Sequence, residues 1–230
     1  MIMPPLTLYQ APGTCAQVVH IALEELDLVY ETHALALMAG EHRAPDYLAI
    51  NASGKVPTLL VDGVALPETL AILRWLDETR PGRLMPRRGA DALARARDWA
   101  LLAWFASTAH PVFTRFRVPP AVIDDPQQFG KVVGHAAPVL AGYFAQAAER
   151  LGQGDWLLGD QFSAADIYLA WLWREALAGG FDPKAFPSLE AHRARVDARP
   201  AVARVLARDA EMLAGFAARG LAPPVGAGRP

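Results

Sequence analysis

Residues 54–69 read GKVPTLLVDGVALPET, and this stretch decides the fold of the first third of the chain. Two runs of strand-forming residues, 58–61 and 64–66, are joined by an Asp-Gly pair, which predicts a tight two-residue hairpin. Pro67 ends the second run. Leucines then recur at every third position over residues 70–76, and this spacing predicts an amphipathic helix.

The residues before the hairpin predict a strand, a helix and a second strand. Residues 6–9 are strand-forming and end at a Pro-Gly turn. Apolar residues recur at spacings of three and four over 15–26, which is typical of a helix, and residues 29–34 alternate like a strand. A loop at 35–43 and a short helix at 45–50 follow. A parallel strand pair followed by a hairpin is the thioredoxin pattern, so a thioredoxin-like α/β fold is predicted.

The second part of the chain has helical periodicity and no strand pattern. The predicted helices cover residues 91–118, 127–151, 164–177, 188–197 and 201–217. We therefore expect an all-α helical bundle domain. The predicted division is a thioredoxin-like domain at 1–82, a breaker-rich linker at 83–89, a helical domain at 90–217 and a Pro/Gly-rich flexible tail at 218–230.

Composition and charge argue against several kinds of partner and location. The formal net charge is -2, with 22 basic and 24 acidic residues, so nucleic acids and anionic membranes are not expected partners. The single cysteine excludes an intrachain disulfide and fits a reducing compartment. Residues 1–10 lack the features of a signal peptide, and the apolar runs are too short to span a bilayer. A cytoplasmic protein is predicted.

Cys15 is the first candidate for chemistry, because it stands at the start of a predicted helix. The free N–H groups and the helix dipole there favour an anion, so a lowered thiol pKa is expected. The alternative is that Cys15 is a small buried apolar residue. Val18 occupies the position of a second cysteine in a Cys-x-x-Cys motif, which argues against a dithiol oxidoreductase. A mixed disulfide at Cys15 remains open.

Two further segments carry groups that suit a peptide-like ligand. Pro57 before a strand is ordinarily an edge residue, but in a thioredoxin-like fold it would be cis. The backbone N–H and C=O of Val56 would then face the helix of Cys15 and pair with an extended peptide. Glu68 and Thr69 begin the next helix, where they could act only as caps. Beside free helix N–H groups they could also bind an ammonium and a carboxylate.

Several motifs together resemble the cytosolic glutathione transferase family. They are PGTCA at 12–16, GKVP at 54–57, ETLAI at 68–72 and FSAADIY at 162–168. The segment around Cys15 is similar to the bacterial beta class, and the resemblance covers about residues 6–214. Ser163 and Asp166 match the family's capping box, which bears on folding and not on catalysis.

The resemblance implies a role for each matching residue of the first domain. Cys15 would lie near the sulfur of glutathione, and the Val56 backbone would pair with its cysteinyl unit. Glu68 and Thr69 would hold the γ-glutamyl group. Thr14 stands where other classes place a catalytic serine, so its hydroxyl is an alternative group for stabilising the glutathione thiolate.

Three further residues are candidates on weaker grounds. Lys55 and His42 would reach a carboxylate of glutathione, and solvent-exposed loop residues are an equal alternative for both. His110, in the first long helix, stands near a beta-class histidine and would face the co-substrate pocket. The following residue is Pro111, where that class has a lysine.

The function that the resemblance implies is that of a glutathione S-transferase active in detoxification. It would bind glutathione as co-substrate, without a metal, and conjugate it to a small hydrophobic electrophile, or exchange it through a mixed disulfide at Cys15. A homodimer is expected, with an apolar pocket supplied by the helical domain. The alternatives are a non-catalytic interaction protein of the same fold and a specialised glutathione-dependent isomerase or dehalogenase.

Overall fold

A computed structural model of the chain describes residues 3–89 and 91–221. Its sheet has four strands in the order β2-β1-β3-β4. β1 runs parallel to β2 and antiparallel to β3, and β3 runs antiparallel to β4. The strands are β1 (Leu6–Gln10), β2 (Glu31–Ala34), β3 (Thr58–Val61) and β4 (Val64–Pro67).

The predicted hairpin is confirmed, and its turn has the conformation that the Asp-Gly pair favours. Asp62 has φ 51° and Gly63 has φ 79°. Positive φ at both central residues is what a type I′ turn needs to match the twist of the strands. β3 and β4 are therefore joined in the register Val61 to Val64.

Three helices accompany this sheet and confirm the predicted thioredoxin-like order. They are α1 (Ala16–Glu25), α2 (Pro45–Ile50) and α3 (Thr69–Thr79). α1 connects the parallel strands β1 and β2, and the core apolar residues Val18, Ile21 and Leu23 on it are fully buried. The predicted loop at 35–43 contains two single 3₁₀ turns, Leu37–Ala39 and Glu41–Arg43.

Six α-helices lie in the rest of the described residues, where helices were predicted. They are α4 (Ala92–Trp104), α5 (His110–Arg117), α6 (Phe129–Leu151), α7 (Ala164–Ala178), α8 (Pro187–Asp197) and α9 (Pro200–Ala218). The helix predicted at 91–118 is interrupted by a π turn at Phe105–Ala109. Pro111 has no N–H, so the regular hydrogen-bond ladder cannot continue through it. No helix within 3–89 or 91–221 is long and apolar enough to cross a membrane.

The start of α7 has the predicted capping box, and it belongs to a larger buried network. The Asp166 carboxylate accepts hydrogen bonds from the Ser163 N–H at 2.9 Å and the Ser163 hydroxyl at 2.8 Å. Its other oxygen accepts from the Leu157 N–H at 2.8 Å and lies 3.0 Å from His192 Nε2. Asp166 therefore holds α7, α8 and the preceding loop together. Trp171 and Trp173 make α7 the most buried helix of this part of the chain.

The described residues group into two compact units that do not follow chain order. One unit runs to Leu84 and resumes at Arg199, and the other runs from Met85 to Ala198. α9 thus belongs with the sheet, because it packs on α1. The predicted domain limits at 82, 90 and 217 stay a prediction. Of the predicted tail, Ala218 is the last residue of α9, and residues 222–230 lie outside the described residues.

Candidate active site

Cys15 and Val56 come together in the first unit, 41 positions apart in the sequence. Cys15 immediately precedes α1, and its Sγ lies 3.7 Å from the Val56 carbonyl oxygen. The Val56–Pro57 peptide bond is cis. The structure thus brings together the thiol and the backbone segment that the sequence singled out for a peptide-like ligand.

The expected lowering of the Cys15 pKa is wrong. Burial raises the pKa of the thiol to about 11, and the nearby charge of Glu68 acts in the same direction. A hydrogen bond from the Thr69 side chain, the Cys15 backbone N–H and the charge of Lys55 oppose this shift without reversing it. Desolvation therefore outweighs the helix N-terminus, and Cys15 is a protonated thiol at neutral pH.

Thr14 uses its hydroxyl to build the turn before α1. The Oγ1 donates to the Ala11 carbonyl at 2.6 Å and accepts from the Ala16 N–H at 3.3 Å. The one hydroxyl proton is therefore directed at the backbone, and donating it to a bound thiolate would require Thr14 to change partner. Its role as an activating group stays a prediction.

Glu68 and Thr69 stand at the start of α3 and shift the pKa of the Cys15 thiol in opposite directions. Glu68 is exposed and has φ 71°, a left-handed conformation that is uncommon for a residue with a side chain. Thr69 is buried, and its side chain lowers the pKa of the Cys15 thiol, against the effect of burial. Sequence reasoning missed this interaction, because nothing in the local pattern of either residue signals a partner so far along the chain.

The loops of His42 and Lys55 lie against each other because of Gly54. Gly54 has φ 59°, and a Cβ at this position would stand 2.8 Å from the His42 carbonyl oxygen. Only glycine allows both this conformation and this approach. Burial and the charge of Arg43 lower the pKa of His42, whereas Lys55 is exposed. A carboxylate ligand here would therefore meet a neutral imidazole and the cations Arg43 and Lys55.

His110 belongs to the second unit, where it follows the π turn and begins α5. Its Nδ1 lies 3.1 Å from the Tyr168 hydroxyl, and its ring meets Trp171 edge-on at 4.8 Å. The aromatic surroundings suit an apolar co-substrate. The role of His110 stays a prediction. Among residues 3–89 and 91–221, no group of three or more His, Cys, Asp or Glu side chains could hold a metal ion.

Two sequence profiles match most of the chain. The "Glutathione S-transferase, N-terminal domain" profile matches residues 13–79, and the "Glutathione S-transferase, C-terminal domain" profile matches residues 105–200. The glutathione S-transferase GST-4.5 of Xanthomonas campestris pv. campestris is 30% identical over 93% of this chain and 98% of its own length. The chain belongs to the glutathione S-transferase family.

Other relatives widen the range of activities found among similar proteins. A maleylacetoacetate isomerase of Pseudomonas aeruginosa is 32% identical over 71% of this chain and 76% of its own length. A glutathione transferase homologue from Sulfitobacter, solved with bound glutathione, has a TM-score of 0.79 and 31% identity over 90% of this chain and 99% of its own. A beta-class glutathione S-transferase from Sphingomonas chungbukensis has a TM-score of 0.76 and 29% identity over 88% of this chain and 98% of its own.

Proposed function

We propose that this glutathione transferase binds glutathione in its first unit and conjugates it to a small hydrophobic electrophile. One observation carries the proposal: the Cys15 sulfur lies 3.7 Å from the Val56 carbonyl, beside an exposed Glu68 and a buried Thr69. In a family whose solved members include glutathione complexes, these groups suit the thiol, the cysteinyl backbone and the γ-glutamyl end of the tripeptide.

The protonated state of Cys15 favours conjugation over disulfide exchange. Exchange needs a Cys15 thiolate as nucleophile, and burial raises the pKa of this thiol to about 11. A thiol that keeps its proton can instead turn from the Val56 carbonyl and donate a weak hydrogen bond to the glutathione thiolate. Stabilising that thiolate in a site with fixed donors makes glutathione the nucleophile at neutral pH. Thr14 is the alternative donor.

Calorimetry of the purified protein with glutathione tests the proposal, together with intact mass measurement of the same sample. We expect saturable binding near one glutathione per subunit and no glutathione adduct on Cys15. An adduct would favour exchange through a mixed disulfide. No binding up to millimolar glutathione would overturn the proposal in favour of a non-catalytic interaction protein of the same fold.

The variant Cys15→Ala separates the two chemical roles of the thiol. If Cys15 only donates a hydrogen bond, conjugation of a chromogenic electrophile should persist at a reduced kcat, because Thr14 and backbone N–H groups remain. Thiol transfer to a small disulfide should be at background in both proteins. Complete loss of conjugation in Cys15→Ala would show that the thiol is essential.

A glutathione-dependent isomerase is a second candidate, because a maleylacetoacetate isomerase is among the similar proteins. Glutathione would then add to the substrate and leave again, so it would not be consumed. Incubation with maleylacetoacetate and a trace of glutathione distinguishes the two. Turnover far beyond the amount of glutathione would support the isomerase.

The proposal also covers the cellular location and the oligomeric state of the protein. A lone cysteine in a chain of net charge -2 suits the cytoplasm, and the role there would be detoxification. A homodimer and an apolar co-substrate pocket near His110 are proposed from family likeness. Size-exclusion chromatography with light scattering tests the dimer.

A further inference from the structure

A buried hydrogen-bond network surrounds the Val56–Pro57 segment. The Tyr47 hydroxyl donates to the Lys55 carbonyl at 2.6 Å and lies 3.0 Å from the Thr58 hydroxyl. The Asn51 side-chain amide donates to the same two atoms, at 2.9 Å each. Lys55 and Thr58 are the residues on either side of Val56–Pro57. Two side chains, from α2 and the residue that follows it, therefore hold both ends of this segment.

The donors and acceptors of this network fit in one consistent arrangement. The Tyr47 hydroxyl donates its proton to the Lys55 carbonyl. The Thr58 hydroxyl therefore donates to Tyr47 and accepts from Asn51. Tyr47, Asn51 and Thr58 are 3%, 8% and 0% exposed, so water cannot replace a lost partner. A closed, buried cycle of this kind permits little movement of the backbone that it holds.

The segment inside this network keeps hydrogen-bonding capacity of its own at Val56. The Val56 carbonyl accepts a weak hydrogen bond from the Cys15 thiol at 3.7 Å and keeps a second lone pair, and the Val56 N–H has no acceptor within residues 3–89 or 91–221. Pro57 has no N–H to offer. The Val56 backbone is thus the part of the segment that is available to a peptide-like ligand, whereas its neighbours are tied to the protein.

We propose that Tyr47, Asn51 and Thr58 are positioning residues that hold the Val56 N–H and C=O where the cysteinyl unit of glutathione binds. The inference rests on the proposed function. Rigid placement of these two groups lets glutathione bind without first ordering the segment. The three side chains act through the Lys55 carbonyl and the Thr58 backbone and need not touch the ligand.

The variants Tyr47→Phe and Thr58→Val each delete one hydroxyl while keeping most of the side-chain shape. Each should raise the glutathione Kd between about twofold and tenfold, as expected for one lost hydrogen bond. The Val56 amide resonance should shift in the 1H–15N spectrum of the ligand-free variants. With saturating glutathione, kcat should stay close to that of the wild type, so the loss appears in KM.

Two control variants separate positioning from general stability. Thr58→Ser keeps the hydroxyl and should keep the wild-type Kd. Tyr30→Phe also removes a hydrogen-bonded tyrosine hydroxyl from the first unit, since Tyr30 donates to Glu24 at 2.7 Å. It should lower the melting temperature with little change in Kd or in the Val56 resonance.

Each outcome of these measurements supports or overturns the inference. A raised Kd in Tyr47→Phe and Thr58→Val with unchanged controls supports it. A wild-type Kd in Tyr47→Phe, or an equal rise in Tyr30→Phe, overturns it while leaving the proposed function intact. A wild-type protein that binds no glutathione overturns the proposed function and this inference together. If Thr58→Val does not fold, Tyr47→Phe alone decides the question.

Discussion

Two opposing influences act on the pKa of the Cys15 thiol. The free N–H groups at the start of α1 favour a thiolate. Burial opposes this, because it removes the water that would solvate the charge of a thiolate. Burial prevails, the pKa rises to about 11, and the charge of Glu68 adds to the effect. At this site the thiol is therefore a hydrogen-bond donor before it is a nucleophile.

Alkylation of Cys15 should be slow at neutral pH. With a pKa of about 11, the thiolate fraction at pH 7 is at least about a hundredfold below that of a free cysteine. The rate with iodoacetamide, followed by intact mass, should keep rising beyond pH 9, with free cysteine as the reference compound. A rate that levels off below pH 8 would contradict this.

Glu68→Gln removes a charge from the same site and should have two separable effects. Glutathione affinity should fall by about tenfold or more if the carboxylate holds the γ-glutamyl ammonium, as expected for a hydrogen bond to a charged group. Alkylation of Cys15 should become faster at a given pH, because the charge of Glu68 raises the pKa of the thiol. Calorimetry and mass spectrometry measure the two effects, and unchanged affinity would remove Glu68 from the binding site.

At the scale of elements, α9 is fastened to α1 by ion pairs at the end of α1. Glu24 accepts hydrogen bonds from Tyr30 at 2.7 Å and Arg204 at 2.8 Å, and it pairs with Arg208. Glu25 pairs with Arg199 through two hydrogen bonds of 2.7 Å. The two acidic residues that end α1 thus face Arg199, which immediately precedes α9, and two arginines from the first three turns of α9.

The Glu24 pairs should make the first unit sensitive to acid. Burial alone would raise the pKa of Glu24, but hydrogen bonds from Tyr30, Arg204 and Arg208 lower it from 4.5 to about 2. A lowered pKa contributes stability above pH 4.5, and this contribution is lost as the pH falls toward 2. Because both arginines are about half-exposed, we expect about 1 to 2 kcal/mol at pH 7.

Urea unfolding of Glu24→Gln and the wild type at pH 7 and pH 3 measures this contribution. The difference between the two proteins should be smaller at pH 3. Glu78→Gln is the control, because Glu78 forms an ion pair with Arg74 on the surface of α3 and should matter little at either pH. A difference that is the same at both pH values would show that Glu24 acts through packing and not through charge.

In the second unit, the buried Asp166 carboxylate links the start of α7 to α8 and to the loop before α7. Asp166→Ala would leave the N–H groups of Leu157 and Ser163 and the side chain of His192 buried without this partner. We expect a loss of about 3 to 5 kcal/mol, measured by urea unfolding. Asp182→Ala removes an exposed carboxylate 3.9 Å from Lys184 and should change stability by less than about 0.5 kcal/mol. A mild effect at Asp166 would mean that water replaces the carboxylate.

At the scale of the whole molecule, the chain returns to its first unit after completing the second. α9 contributes the buried residues Val202, Val205 and Asp209 to the unit that contains the sheet. The Gln17 side chain, in the first turn of α1, donates to the Asp209 carboxylate at 2.6 Å. The helix that carries Cys15 at its start is therefore supported by residues from near the end of the chain.

Deleting residues 200–221 should accordingly damage the glutathione site as well as the end of the protein. The apolar face of α1 and the Gln17 amide would be exposed, so we expect a lower melting temperature and loss of glutathione binding. Circular dichroism and calorimetry measure these effects, with the stability of Asp209→Asn as a milder comparison. A truncated chain that binds glutathione normally would show that α9 is dispensable to the first unit.

Much of the fold could be predicted because it depends on near neighbours in the chain. The Asp-Gly pair defines the hairpin, the leucine spacing defines α3, and the Ser-x-x-Asp motif starts α7. The π turn before α5 was not predicted, although Pro111 two residues beyond its end is a signal that could have indicated a break in the helix. Motifs also singled out Cys15 and Val56, whose proximity the structure then established.

The sequence by itself thus determined the order of the elements, the family and the candidate site residues. Only the tertiary structure decided the protonation of Cys15, the influence of Thr69 on it, the network of Tyr47 around Val56–Pro57 and the place of α9. The physical reason is the separation along the chain over which each interaction acts. Backbone hydrogen bonding and periodicity act between residues a few positions apart, whereas desolvation, Coulomb interactions and side-chain networks depend on which distant residues the fold brings into contact.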